Sequence, residues 1–161
     1  MAAGDIQFAL PNLASHVGAR KANVAAGATT INPGEPVAAT LGGTTVTALA
    51  TNKPVVGTDY LAGIATSTST QTASVAGTVD YLPLTPGQVY LISPKVAATW
   101  DTQAEYDALV GKRVLLDLTS GSYTILAADG ATNGCVIAPL NIALNPGKVA
   151  FEFRAGASYL A

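Results

Sequence analysis

Three phrases of one kind constrain this chain most: Asn32-Pro33-Gly34, Thr85-Pro86-Gly87 and Asn145-Pro146-Gly147. Proline presets φ near about −65° at the second position of a β-turn, and glycine takes the positive φ that the third position of a type II turn requires. Each phrase is followed within three residues by a valine that opens an apolar stretch: Val37, Val89 or Val149. A chain punctuated this way alternates sharp turns with short strands and leaves little room for long helices. The stretches between the phrases differ in length and pattern, so they are not an internal repeat.

The apolar stretches alternate as half-buried strands do. In residues 148–154, Val149, Phe151 and Phe153 take one face, and Lys148, Glu152 and Arg154 the other. Val114, Leu116 and Leu118 repeat the pattern with Asp117 opposite, and Ser120-Gly121 then leads to Tyr123, Ile125 and Ala127. Residues 113–127 therefore predict a hairpin. Val75, Val79 and Tyr81 mark another strand, Val89 and Leu91 the next, and Cys135–Ala138 a short one after the turn dipeptide Asn133-Gly134.

One segment has the helical period. Thr102-Gln103-Ala104-Glu105 fits a capping box, and Tyr106, Leu109 and Val110 follow on one face. Gly111 is a natural C-terminal stop, with Lys112-Arg113 where cations suit the helix end. The expectation is an all-β fold, an antiparallel β-barrel or β-sandwich, with one short helix over about 102–110. The Thr/Ser-rich stretch 66–74 reads as a mobile loop between two strands of one domain. Residues 1–30, rich in Ala and Gly, read either as a frayed terminus or as an extended N-terminal arm that orders against a neighbour, ahead of a single β domain at 31–161. Phe8 and Leu10 are the arm's apolar anchors, and Arg20 and Lys21 its basic pair.

Composition narrows the function. Charged side chains are 11% of the chain, against roughly 25% in an average soluble domain. Thirty alanines, nineteen threonines and sixteen glycines supply much of the remainder. A surface built from Thr, Ser, Ala and Gly is cheap to desolvate and suits contact with another protein. The net charge of −2 argues against nucleic-acid binding, which draws on a basic surplus. No apolar run approaches the roughly 20 residues that span a bilayer. The segment MAAGDIQFAL lacks the basic start of a signal peptide, so synthesis and folding in a cytoplasm are expected.

Groups for chemistry are scarce. His16 is the lone histidine, in the arm, and reads as solvated or as an interface residue. Cys135 is the lone cysteine, so it cannot form an intramolecular disulfide, and it reads as a buried structural thiol. Asp101, Glu105 and Asp107 cluster at the helix, where capping and the helix dipole account for them without a metal. Asp59, Asp80 and Asp129 are scattered and read as solvated. Gly111-Lys112 lacks the rest of a phosphate-binding loop. Trp100 with Tyr60 or Tyr90 would suit a stacked sugar, yet its place just before the helix reads more simply as packing onto the helix. No catalytic residue, cofactor or small-molecule substrate is expected.

Four stretches carry a resemblance: Ile31–Val37, Val55–Ile64, Thr78–Lys95 and Asn145–Arg154, with their Gly-marked turns and short strands. In that order they resemble the small decoration (cement) proteins of tailed-bacteriophage capsids. The resemblance spans roughly residues 31–154. It implies a β-structured homotrimer on the outer surface of a phage head, bridging subunits of the major capsid protein and stabilising the shell. Its location would be the virion, after synthesis in the host cytoplasm. Phe8, Leu10, Arg20 and Lys21 are then the candidate capsid contacts. The alternative from the same residues is a head-fibre or adhesin-like surface module that recognises a host ligand.

Overall fold

The computed structural model describes residues 7–8, 18–39, 42–85 and 87–157. The first half carries β1 (Gln7–Phe8), β2 (Arg20–Val24), β3 (Pro36–Ala39), β4 (Thr45–Ala48), β5 (Tyr60–Ala65) and β6 (Gly77–Pro83). The second half carries β7 (Val89–Ile92), α1 (Gln103–Asp107), β8 (Arg113–Val114), β9 (Leu116–Thr119), β10 (Ser122–Ile125), β11 (Cys135–Ile137) and β12 (Val149–Phe153). The fold is all-β, as the turn punctuation predicts.

All three Pro-Gly phrases make their turns. Gly34, Gly87 and Gly147 have φ of 87°, 74° and 68°. The amides of Glu35, Gln88 and Lys148 donate to the carbonyls of Asn32, Thr85 and Asn145 at 3.1, 3.1 and 3.2 Å. Each turn delivers the chain into a strand: β3, β7 and β12.

Strands β2 to β6 close a barrel in the order β2-β4-β3-β5-β6, with β6 returning to β2. Its pairings are antiparallel except β2 with β4, which run parallel. Five strands enclose a narrow bore, which small and branched side chains can fill. Val24, Ile31, Val37, Val46, Ala62, Ala65 and Val79 do so. The barrel corrects the expected arm boundary at residue 30. Residues 20–24 are a barrel wall, because Ala22 and Val24 point inward while Lys21 and Asn23 face solvent.

The second sheet has the order β1-β7-β12-β11-β8, and β9 and β10 form a separate hairpin. The predicted hairpin of residues 113–127 is thus split, with β8 joining the large sheet. Ser120 and Gly121 turn the hairpin with φ of 52° and 79°, the double positive φ of a type I′ turn. Strand β5 fuses barrel and sheet. A register shift at Val37/Ala38 lets Ala62 and Ala65 fill the bore while Leu61 and Ile64 join the larger core around Tyr90, Phe151 and Ile125. Tyr90, Phe151 and Phe153 pack there with ring centroids 5.1–5.7 Å apart.

The helix is shorter than expected. Thr102 caps it, with the full reciprocal capping box to Glu105. After Ala108 the chain tightens, Leu109 and Val110 donating to the carbonyls three residues back. That tightening rotates Val110 outward, so only Tyr106 and Leu109 of the predicted apolar face are buried.

The Thr-rich stretch is a strap pinned along the barrel, not a mobile loop. Thr66, Thr68, Thr70 and Thr72 are exposed, and the residues between them turn inward. The Ser67 and Ser69 hydroxyls accept from the amides of Asp80 and Ile31 at 3.0 and 2.8 Å. Gln71 donates to the carbonyls of Ala28 and Thr29.

Candidate functional site

Of the four candidate contact residues, the three that are described fall on two different strands: Phe8 on β1, and Arg20 and Lys21 on β2. Phe8 lies in β1, opposite Tyr90 on the outer edge of β7. Leu10 and His16 lie outside the described residues. Arg20 and Lys21 stand on the barrel wall, both exposed, opposite Tyr81 and Asp80 of β6. Lys21 forms an ion pair of 3.7 Å with Asp80 across that strand pair, so it already has a partner within the chain.

The scattered carboxylates are likewise paired and not simply solvated. Asp59 meets Lys53 at 3.0 Å and accepts the Val55 amide at 2.8 Å. Asp129 meets Arg113 at 3.6 Å and accepts its amide at 2.9 Å. That amide bond is the main cause holding the Asp129 carboxyl below its ordinary value. Asp117, read as the exposed face of its strand, is buried. It accepts from Thr51 and Thr119 and faces Lys95 at 2.9 Å. Sequence reasoning missed this cluster because its members come from three separate segments.

Asp101 and Glu105 are exposed neighbours at the start of the helix. The Glu105 carboxyl beside it holds Asp101 above its ordinary value, while the Thr102 hydroxyl is the first cause holding Glu105 below it. Among the described residues, no group of three or more His, Cys, Asp or Glu is arranged to hold a metal ion. No helix among them is long and apolar enough to cross a membrane. Cys135 is wholly buried in β11, and desolvation pushes its thiol well above the usual range. A thiol in that state is a poor nucleophile.

Trp100, Tyr60 and Tyr90 do not form a stacking platform. Tyr90 is buried in the core with its hydroxyl on Gln88 at 2.9 Å. Trp100 is 5% exposed and packs on Tyr106 of the helix, ring centroids 5.8 Å apart.

Trp100 does, however, floor one side of a groove of about 510 Å³ that sequence reasoning missed. The groove lies beyond the ends of β7 and β12, which are neighbours in the sheet. One lip runs from Pro94 to Gln103 and carries Asp101; the other runs from Ile142 to Lys148. Gln103 ties the lips together, donating to the Leu140 carbonyl at 2.9 Å and accepting the Ile142 amide at 3.1 Å. The second lip contains the Asn145-Pro146-Gly147 phrase, but nothing in either segment alone signals that the two meet.

No protein-family model, no curated protein and no solved structure matches this chain.

Proposed function

We propose that this chain is a non-catalytic structural protein that decorates the outside of a tailed-phage head as a homotrimer. In this reading it bridges major capsid protein subunits and stabilises the shell. The observation that carries the reading is how little unpaired charge the surface presents. Four of the eight basic side chains, Lys21, Lys53, Lys95 and Arg113, are ion-paired inside the chain. The remaining surface is dominated by small and hydroxyl side chains, the exposed Thr66, Thr68, Thr70 and Thr72 among them. Such a surface costs little to desolvate against a protein partner. The resemblance in residues 31–154 supplies the identity of that partner.

The mechanism is mechanical. A packed genome pushes shell subunits apart, and a protein bound across their joints raises the cost of separation. Three linked copies bind with avidity once the first is seated. Phe8 and Leu10 would anchor on the shell, with Arg20, which has no ion pair among the described residues, beside a shell carboxylate, and Lys21 exchanging its Asp80 partner for one. Purified protein is expected to pellet with heads that lack it, from the tailed phage that encodes it, and to saturate at a fixed ratio. Removal of residues 1–17, which spares β2, is expected to weaken pelleting at least about tenfold, the loss of one or two anchors. Protein that stays in the supernatant at every ratio overturns the reading.

A further inference from the structure

The described chain exposes four large aliphatic side chains, and two of them flank the same groove. Val96, 57% exposed, lies between the lining residues Pro94 and Ala97, and Leu144, 78% exposed, follows the lining residue Ala143; neither side chain lines the groove of its own molecule. An apolar lip beside an apolar groove marks a protein contact better than two scattered aliphatics do.

The Leu144 lip is preformed. Leu144 and Asn145 donate to the carbonyls of Asn141 and Ile142, both at 3.2 Å, and Lys148 closes the next turn onto Asn145. The Asn141 side chain accepts the Ala143 amide at 3.0 Å, and the Asn145 side chain donates back to the Asn141 carbonyl. A knob held this firmly loses little entropy on docking. Gln103, on the first lip, fixes the groove in the same way, by bonding to Leu140 and Ile142 at the start of the second.

The charges say what the groove receives. Asp101 sits on the first lip and Lys148 on the second; among the described residues neither forms an ion pair, and Lys148 reaches the Ser93 hydroxyl at 3.5 Å. Each lip therefore complements the other lip of an identical molecule: Lys148 of one copy against Asp101 of the next, with Leu144 entering the groove between.

We propose that this groove is a self-association surface that receives the Leu144 turn of a second copy. The proposal supplies the contact that a homotrimer requires, and in that respect it rests on the reading above. Its first readout, the mass in solution, needs no head shells, so its failure is visible apart from failure of head binding.

The test is light-scattering mass over a concentration series, with circular dichroism to confirm folding. The wild type is expected to exceed the 16.1 kDa monomer. Leu144→Glu places a charge on an already exposed position, so it is expected to leave the fold intact and weaken association at least about tenfold. Asp101→Lys and Lys148→Asp are each expected to weaken it, and the double reversal to restore it. A wild type monomeric at all concentrations overturns the proposal, as does association that survives Leu144→Glu. If the wild type is monomeric and Leu144→Glu instead abolishes pelleting with heads, the groove belongs to the shell protein and the proposal is wrong.

Discussion

Asp117 shows how much one carboxylate can join in a chain with few charges. It binds Thr51 from the segment after β4, Lys95 from the segment after β7, and Thr119 two residues along its own strand. Thr51 in turn accepts the Leu118 amide at 3.1 Å. These bonds, Thr119 first and Lys95 second, hold the carboxyl below its ordinary value. Lys95 is 41% exposed, so solvent screens part of the pair. Asp117→Asn is expected to cost about 2 kcal/mol in urea unfolding at pH 7, chiefly through the one threonine hydroxyl left facing an amide NH2 and the loss of the carboxylate opposite Lys95. A depressed carboxylate stabilises fully above its unfolded value and loses that contribution as pH falls through its folded one. The gap between wild type and Asp117→Asn should therefore be widest at neutral pH and shrink below about pH 4. A gap constant down to acid would contradict the assignment.

At the scale of elements, α1 is too short to be stable alone, and its docking rests on Tyr106. The Tyr106 hydroxyl donates to the Ala138 carbonyl and accepts the Ala150 amide, both at 2.9 Å, clamping the helix to β11 and β12. Tyr106→Phe keeps the ring but strips both bonds, with an expected cost of about 1–3 kcal/mol in thermal or urea unfolding. An unchanged stability would mean that the ring alone docks the helix. The strap has its own test at Gly77, where an added Cβ would lie 2.1 Å from the Gln71 backbone nitrogen. Gly77→Ala is expected to lift the strap and speed hydrogen exchange at the Thr70 and Thr72 amides, while exchange in β11 and β12 stays slow.

These elements also show what was legible in the sequence. The Pro-Gly turns, the capping box and β12 were readable because each rests on neighbours in sequence. Strand β2 was not, because Ala22 and Val24 are a weak inward pattern and their partners Val79 and Gly77 are distant in the chain. The strap was misread for a similar reason. Alternating Thr and Ser suits a loop as well as a strap until Ile31 and Asp80 supply the inward partners. The candidate contacts Phe8, Arg20 and Lys21 were readable as residues, but not their separation onto a sheet edge and a barrel wall.

At the scale of the molecule, a small closed barrel is joined to a second sheet through β5, and the groove stands at that sheet's end. Leu61 and Ile64 of barrel strand β5, with Leu49 just after β4, pack in the core of the second sheet, so load applied to one part passes into the other. That suits a part that spans a joint between larger subunits. The proposed role is to stabilise a head on binding. The most direct measurement is the disruption temperature of empty heads, by calorimetry, with increasing amounts of this protein. Preferential binding to the intact shell predicts a rise that saturates at a fixed protein-to-shell ratio. A disruption temperature that stays unchanged at saturating protein would contradict the account.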